Sequence, residues 1–156
     1  MTAKSHILVI EARFYRHIAD ELLMGAKAAL EEAGATCEVV SVPGALEIPQ
    51  VLAAAIDARL FVNGKGEGGF HGCVALGCVI RGETSHYEIV ANESARALLS
   101  LATANNVPLG NGILTVENEA QALVRASVNG KNKGRDTVDA CLDLIDAGRR
   151  FRDRQR

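Results

Sequence analysis

Gly72-Cys73-Val74-Ala75-Leu76-Gly77-Cys78-Val79-Ile80 is an unbroken apolar run, and Arg81-Gly82-Glu83-Thr84-Ser85-His86-Tyr87-Glu88 follows it directly. A continuous apolar run of this length, rich in valine and bounded by glycine and charge, reads as a strand covered on both faces, as central parallel strands are. Ser85-x-x-Glu88 has the pattern of a capping box, so a helix is expected to begin there and to carry His86 in its first turn. A parallel strand that feeds a helix N-terminus leaves backbone N–H groups facing the space above the sheet, where an anion is favoured.

The rest of the chain supplies the same alternation. Ile7 to Ile10 is a short apolar run with the character of a first strand, leading into Glu11-Ala12-Arg13-Phe14. From about Tyr15 to Ala33, the residues Ile18, Leu22, Ala26, Ala29, Leu30 and Ala33 recur at helical spacing, and Gly34 supplies the stop. Thr36 to Val42 reads as a second strand closed by Pro43-Gly44, and Pro49 marks the start of a helix over Gln50 to Ala58. A third helix is predicted from His86 to about Asn105, a fourth strand over Gly112 to Val116 and a short helix over Glu119 to Ala126. The last helix is predicted from Asp136 to about Arg150, with Val138, Cys141, Leu142 and Ile145 on one face. This order predicts an α/β fold, a flavodoxin-like three-layer sandwich with a four-stranded parallel sheet flanked by helices. Its 156 residues suit one domain spanning 1–156. In such sheets ligands bind beyond the carboxyl ends of the strands, here Arg13-Phe14, Pro43-Gly44, Arg81-Gly82 and Glu117-Asn118.

Apolar types make up 48% of the residues and aromatics 4%, so the core is expected to be built from Ala, Val, Leu and Ile. A formal charge of -2 argues against a general binder of nucleic acid, although Arg149, Arg150, Arg152, Arg154 and Arg156 crowd the C-terminus. Cations at a helix end complement its dipole, and a solvated end is the expectation for that tail. Cys37, Cys73, Cys78 and Cys141 show neither CxxC spacing nor a nearby histidine pair, which points to buried free thiols and to no metal site. With no signal-peptide pattern and no apolar run of membrane-spanning length, a cytoplasmic protein without membrane contact is expected. Asn92-Glu93-Ser94 matches a glycosylation sequon, but it falls inside a predicted helix.

Gly64-Lys65-Gly66-Glu67-Gly68-Gly69 satisfies the pattern G-x-G-x-x-G. A dinucleotide fingerprint needs a strand before it and a helix after it, whereas here a helix precedes and a strand follows, so the expectation for Asn63 to Gly69 is a flexible connection.

Several side chains near the strand ends have a chemical and a plain reading. Gly82, Glu83 and Thr84 offer amides to a phosphate, or belong to an ordinary capped helix. His86 is placed to shuttle a proton, or is a bystander at a helix start. Arg125 and Lys133 can close a phosphate site, or are solvated cations, with Lys133 placed in the polar loop Ser127 to Arg135. Glu47 can accept hydrogen bonds from ligand hydroxyls, or is a first-turn acid. Phe14, one of only six aromatics, can stack on a planar ring, or fill the core.

Taken together, Arg13-Phe14, Val42-Pro43-Gly44-Ala45-Leu46-Glu47-Ile48-Pro49, Gly77 through Glu88, Gly112-Ile113-Leu114-Thr115-Val116-Glu117-Asn118 and Asn132-Lys133-Gly134 resemble the 6,7-dimethyl-8-ribityllumazine synthase family of riboflavin biosynthesis. The resemblance runs from about Ile7 to Phe151. It implies a transferase that condenses 5-amino-6-ribitylaminouracil with 3,4-dihydroxy-2-butanone 4-phosphate, releasing phosphate and water, without metal or cofactor. By that resemblance Phe14 stacks on the pyrimidine, Val79 and Ile80 read its edge, and Gly44, Ala45, Leu46, Glu47 and Asn111 handle the ring and the ribityl chain. Gly82, Glu83, Thr84 and Arg125 hold the phosphate, His86 moves protons, and Lys133 stands near the site.

Asn111 stands where many members carry an aromatic, and Leu46 where many carry phenylalanine, so the implied ring pocket is less aromatic than usual. The family assembles as pentamers with sites between subunits, and some pentamers pack into a shell of roughly sixty subunits. The loop Ser127-Val128-Asn129-Gly130-Lys131 lacks the turn associated with shells, so an isolated homopentamer is expected. Riboflavin synthase is implied as a functional partner. The alternative is a non-catalytic flavin- or lumazine-binding oligomer on the same fold. An unrelated phosphosugar enzyme is a second rival, since fold alone does not fix function.

Overall fold

Every residue from Ile7 to Ala12 is buried, with Ile7 and Val9 on one face of the strand and Leu8, Ile10 and Ala12 on the other. This is the first strand, β1 (His6–Ala12), in a computed structural model that describes residues 4–62 and 69–156. A strand with both faces buried needs a layer on each side. Helix α1 (Arg16–Glu32) follows, then β2 (Thr36–Val42), a 3-10 turn (Ala45–Glu47), α2 (Ile48–Asp57), β3 (Gly72–Ile80) and α3 (His86–Asn105). Strand β4 (Leu109–Val116), α4 (Glu119–Ala126) and α5 (Lys133–Asp153) complete the order.

The four strands pair in parallel in the order β2-β1-β3-β4. Ile18 and Leu22 of α1, Ala122 of α4, and Val138 and Cys141 of α5 pack with Ile7, Val9, Val74 and Leu76 on one face. Ile48 and Leu52 of α2 and Leu98 of α3 pack with Leu8, Ile10, Cys73 and Ala75 on the other. From β1 the chain crosses to β2 through α1 on one face, and from β2 it returns past β1 to β3 through α2 on the opposite face. That reversal opens a crevice above β1 and β3. The predicted three-layer α/β fold is therefore present, and β2, β3, α3 and α4 begin and end where the sequence placed them.

The ends of β1, α1 and α2 differ by one or two residues and α5 runs on to Asp153, while the starts of α5 and β4 each come three residues early, for packing reasons. Helix α5 begins at Lys133 rather than Asp136, so Lys133 lies on a helix and not in a polar loop. Strand β4 begins at Leu109 rather than Gly112 because Gly110 and Gly112 leave room for Thr137 of α5, and a β-carbon at either glycine would collide with it. The crossing of α5 over α1 is equally close. A β-carbon at Gly134 would run into the Leu22 carbonyl oxygen, which is backbone and cannot swing aside. Gly134→Ala is therefore expected to destabilise the fold by about 1–3 kcal/mol, the usual cost of overpacking a filled contact. A lowered urea midpoint with an unchanged slope would show it.

The four cysteines carry free thiols, three of them buried. Burial raises the Cys141 thiol to about 12 and pushes that of Cys73 up as well, which keeps both in the neutral form. No helix among the described residues is long and apolar enough to cross a membrane. Arg149 departs from the solvated tail expected of it, since its Nη2 donates to Ser5 Oγ at 3.3 Å. The glycine-rich pattern at 64–69 lies, apart from Gly69, outside the described residues. The chain on either side of it is joined by backbone bonds from Phe70 N to the Leu60 carbonyl at 2.7 Å and from Val62 N to the Phe70 carbonyl at 2.8 Å.

Candidate active site

Beyond the ends of β1, β2 and β3 lies a cavity of about 460 Å³, the size of a small-molecule site. Three loops build it. The β1–α1 turn brings Phe14 and Tyr15, the segment after β2 brings Pro43, Gly44, Ala45, Leu46 and Glu47, and the β3–α3 junction brings Val79, Ile80, Gly82, Thr84 and His86. Phe14 is 72% exposed, so its ring is presented at the cavity and does not fill the core. It meets the Tyr15 ring edge-on at 4.9 Å between centroids.

The segment after β2 is shaped by its glycine and proline. Gly44 is extended, and a β-carbon there would lie 3.2 Å from Glu47 Oε1, so the absence of a side chain lets the carboxylate fold over the backbone. Pro49 in the first turn of α2 ends the 3-10 turn and starts the helix. Glu47 is thereby held at the cavity rim, and Ile48 turns into the core with no measurable exposure.

At the β3–α3 junction the ladder runs one residue past the strand, with Arg81 N donating to the Val116 carbonyl at 2.9 Å. The Arg81 guanidinium then ties three neighbouring side chains together. Its Nε donates to Glu117 Oε2 at 2.8 Å, its Nη1 reaches Glu88 Oε1 at 3.5 Å, and its carbon sits 4.3 Å from the centre of the Tyr87 ring. The capping box read from the sequence does not form. Ser85 has helical rather than extended backbone angles and its side chain caps nothing, while the Glu88 carboxylate lies 3.5 Å from Arg81 Nη1. Thr84 Oγ1 accepts from His86 N instead, at 3.3 Å. Among the described residues the amides of Gly82, Glu83, Thr84 and Ser85 donate to no backbone carbonyl, and the space where a Gly82 side chain would stand is open. These four amides precede the positive end of a 20-residue helix, where negative charge is favoured, and of this junction Gly82, Thr84 and His86 line the cavity.

Sequence reasoning did not select Tyr15, Cys78, Tyr87 or Val90, which also line the cavity. Of the chain's six aromatic side chains, three stand here. The adjacency of Tyr15 to Phe14 and of Tyr87 to His86 was the available signal. Burial, followed by the nearby Cys78 and Glu119, raises the Tyr15 phenol, so it serves as a neutral hydroxyl. Burial also pushes the Cys78 thiol up to about 11, which removes it as a nucleophile near neutrality.

Asn111, Arg125 and Lys133 do not line this cavity, and Glu83 stands outside it on the exposed junction loop. Asn111 lies on edge strand β4, four residues before Thr115, the partner of Val79, and so about 13 Å below the cavity at 3.3 Å per residue. Its Oδ1 accepts from Ile113 N at 3.1 Å. Arg125 is in the last turn of α4, where Nη1 donates to the Gln121 carbonyl at 3.1 Å, and Lys133 opens α5, 3.3 Å from Asp136. Both helices pack on the α1 side of the sheet, away from α2 and α3. Among the described residues no group of three or more His, Cys, Asp or Glu side chains is placed to hold a metal ion.

An apolar, aromatic-walled cavity at the reversal point of a parallel sheet, with a helix N-terminus and a histidine in its lining, marks a flavodoxin-like α/β protein with a small-molecule site. A family model described as 6,7-dimethyl-8-ribityllumazine synthase matches residues 4–149, and the chain belongs to that family. It is 56% identical over 143 residues to the 6,7-dimethyl-8-ribityllumazine synthase of Methylorubrum extorquens strain PA1, covering 92% of this chain and 80% of that protein. The Agrobacterium fabrum enzyme of the same name is 54% identical, over 92% of this chain and 95% of its own. That of Bartonella tribocorum is 50% identical, over 98% and 96%.

Proposed function

We propose that this chain condenses 5-amino-6-ribitylaminouracil with 3,4-dihydroxy-2-butanone 4-phosphate to give 6,7-dimethyl-8-ribityllumazine, phosphate and water, the penultimate step of riboflavin biosynthesis. The observation that carries the reading is the division of one cavity between a ring-binding wall and an anion cradle, with His86 in the first helical turn beside the cradle. Phe14 stacks on the pyrimidine, and the backbone at Val79 and Ile80 reads its edge. Gly44, Ala45, Leu46 and Glu47 line the path of the ribityl chain. Gly82, Glu83 and Thr84 receive the phosphate at the junction before α3, where the helix dipole favours negative charge. His86 carries protons during Schiff-base formation and phosphate loss. Joining two bound molecules gains mainly from proximity and orientation, and this cavity supplies both from rigid strand ends.

Asn111, Arg125 and Lys133 reach a cavity in this reading only when a neighbouring copy presents its β4, α4 and α5 side to it. That supports a cyclic oligomer in which each site is shared, and the loop Ser127 to Lys131, which lacks the turn associated with shells, favours an isolated homopentamer. Light scattering is expected to give a mass near about five copies of the 16.5 kDa chain. A mass near about sixty copies would overturn the isolated ring. The protein acts in the cytoplasm and hands its product to riboflavin synthase.

Mixing the purified protein with both substrates and following lumazine fluorescence tests the activity. Fluorescence growth that requires both substrates supports the reading. Binding of the lumazine without turnover would leave a flavin- or lumazine-binding oligomer in its place.

A further inference from the structure

Glu11 is the only charged side chain buried among the described residues, at 2% exposure. It sits one residue from the end of β1, on the α1 side of the sheet with Ile7 and Val9. A carboxylate taken out of water is costly unless charge and hydrogen bonds compensate it. Both are present. Glu11 Oε1 accepts from Arg13 Nη1 at 2.6 Å, and Glu11 Oε2 accepts from Ser41 Oγ, on the residue paired with it in β2.

Arg13 passes this constraint to the turn above. Its other guanidinium nitrogen, Nη2, is bonded to Asp20 of α1, and its backbone N donates to the Val42 carbonyl at 3.0 Å. The turn from Arg13 to Tyr15 is therefore fastened to β1, to β2 and to α1. Phe14 lies at the middle of that turn, 72% exposed within one chain and met edge-on by the Tyr15 ring of the same turn, so within the chain its orientation follows that of the turn. An exposed ring on an unfastened turn samples many orientations, and a ligand that needs one of them binds more weakly by the fraction of time that orientation is absent.

We propose that Glu11, Arg13 and Asp20 form a clamp that orients Phe14 and so sets affinity for the planar, pyrimidine substrate; Glu11 and Arg13 are positioning residues that act through Phe14 without touching substrate. The proposal rests on the pyrimidine reading of Phe14 given above. Glu11→Gln keeps the shape of the side chain and removes the charge that holds Arg13. It is expected to raise KM for the pyrimidine substrate about tenfold, as follows when the competent orientation falls to about a tenth of its former population. KM for the phosphorylated substrate and the kcat at saturation are expected to change less than about twofold, because the cradle at Gly82 to Thr84 is built by another loop. A purely structural role would move all three together.

The decisive comparison is a cycle with Phe14→Ala. If the clamp works through the ring, adding Glu11→Gln to Phe14→Ala raises the pyrimidine KM no further. An additional rise in the double variant would overturn the clamp, as would a raised KM in Phe14→Ala beside an unchanged KM in Glu11→Gln. An unchanged KM in Phe14→Ala would instead sink the pyrimidine reading of Phe14, and the clamp's role with it. Asp20 is 64% exposed, so Asp20→Lys is expected to fold even where Glu11→Gln does not. It repels Arg13 from the outer side and is expected to raise the same KM about threefold through partial loss of the oriented turn, with no change overturning the proposal.

Discussion

Turnover of His86→Ala is expected to fall roughly 10- to 1000-fold, with the fluorescence product still formed. One general acid–base group usually contributes about 100- to 10,000-fold, and a smaller effect is expected here because proximity supplies most of the gain in joining two bound substrates. The imidazole stands in the first turn of α3, beside the amides of Gly82 to Ser85, and lines the same cavity as Phe14 and Glu47. On the proposed reading, a proton passed by His86 moves beside the junction that receives the phosphate. Single-turnover fluorescence with both substrates saturating measures the step directly. A rate equal to wild type, where chemistry limits, would remove His86 from the mechanism.

Arg125→Ala is expected to raise KM for the phosphorylated substrate roughly 10- to 100-fold, the loss of a charge-assisted contact worth about 1.5–3 kcal/mol. KM for the pyrimidine should stay close to wild type. In one chain Arg125 is on the α1 side of the sheet and bonded to the Gln121 carbonyl, outside the cavity, so the effect requires a second copy. Co-expression separates the two cases. Subunits carrying His86→Ala, mixed with subunits carrying Arg125→Ala, regain wild-type sites at roughly one quarter of the pockets if each site takes its histidine from one copy and its arginine from the next. No recovery in verified mixed oligomers would place Arg125 outside the neighbouring site. An unchanged KM in Arg125→Ala alone would remove it as the phosphate clamp.

Fold was legible because both faces of β1 and β3 are buried, and burial on both faces writes short continuous apolar runs, here bounded by glycine or charge. Helix ends were legible where glycine or proline punctuates them, as at Gly34 and Pro49. They were missed where the cause is distant. The early start of α5 depends on Gly134 lying against the Leu22 carbonyl, and the early start of β4 on Thr137 filling the space over Gly110 and Gly112. Ser85-x-x-Glu88 reads as a capping box because the pattern records only four neighbouring residues. Arg81 competes for Glu88 and is itself held by Glu117, thirty-six residues further on.

Phe14, Gly44 to Glu47, Val79, Ile80, Gly82, Thr84 and His86 were placed at one cavity because each stands near the end of a strand, and parallel topology brings strand ends together whatever lies between them. Residue types and their order were therefore enough to determine a three-layer α/β chain, its family resemblance and the loops that carry its chemistry. What the tertiary structure alone decided is which of those residues share one cavity. It gathers Phe14, Tyr15, Glu47, Tyr87 and His86, leaves Asn111, Arg125 and Lys133 facing elsewhere, and buries Glu11 beneath the Phe14 turn. Those outcomes depend on strand order, on which face each helix covers and on side chains competing for the same partner, and each is set by contacts between residues far apart in the chain.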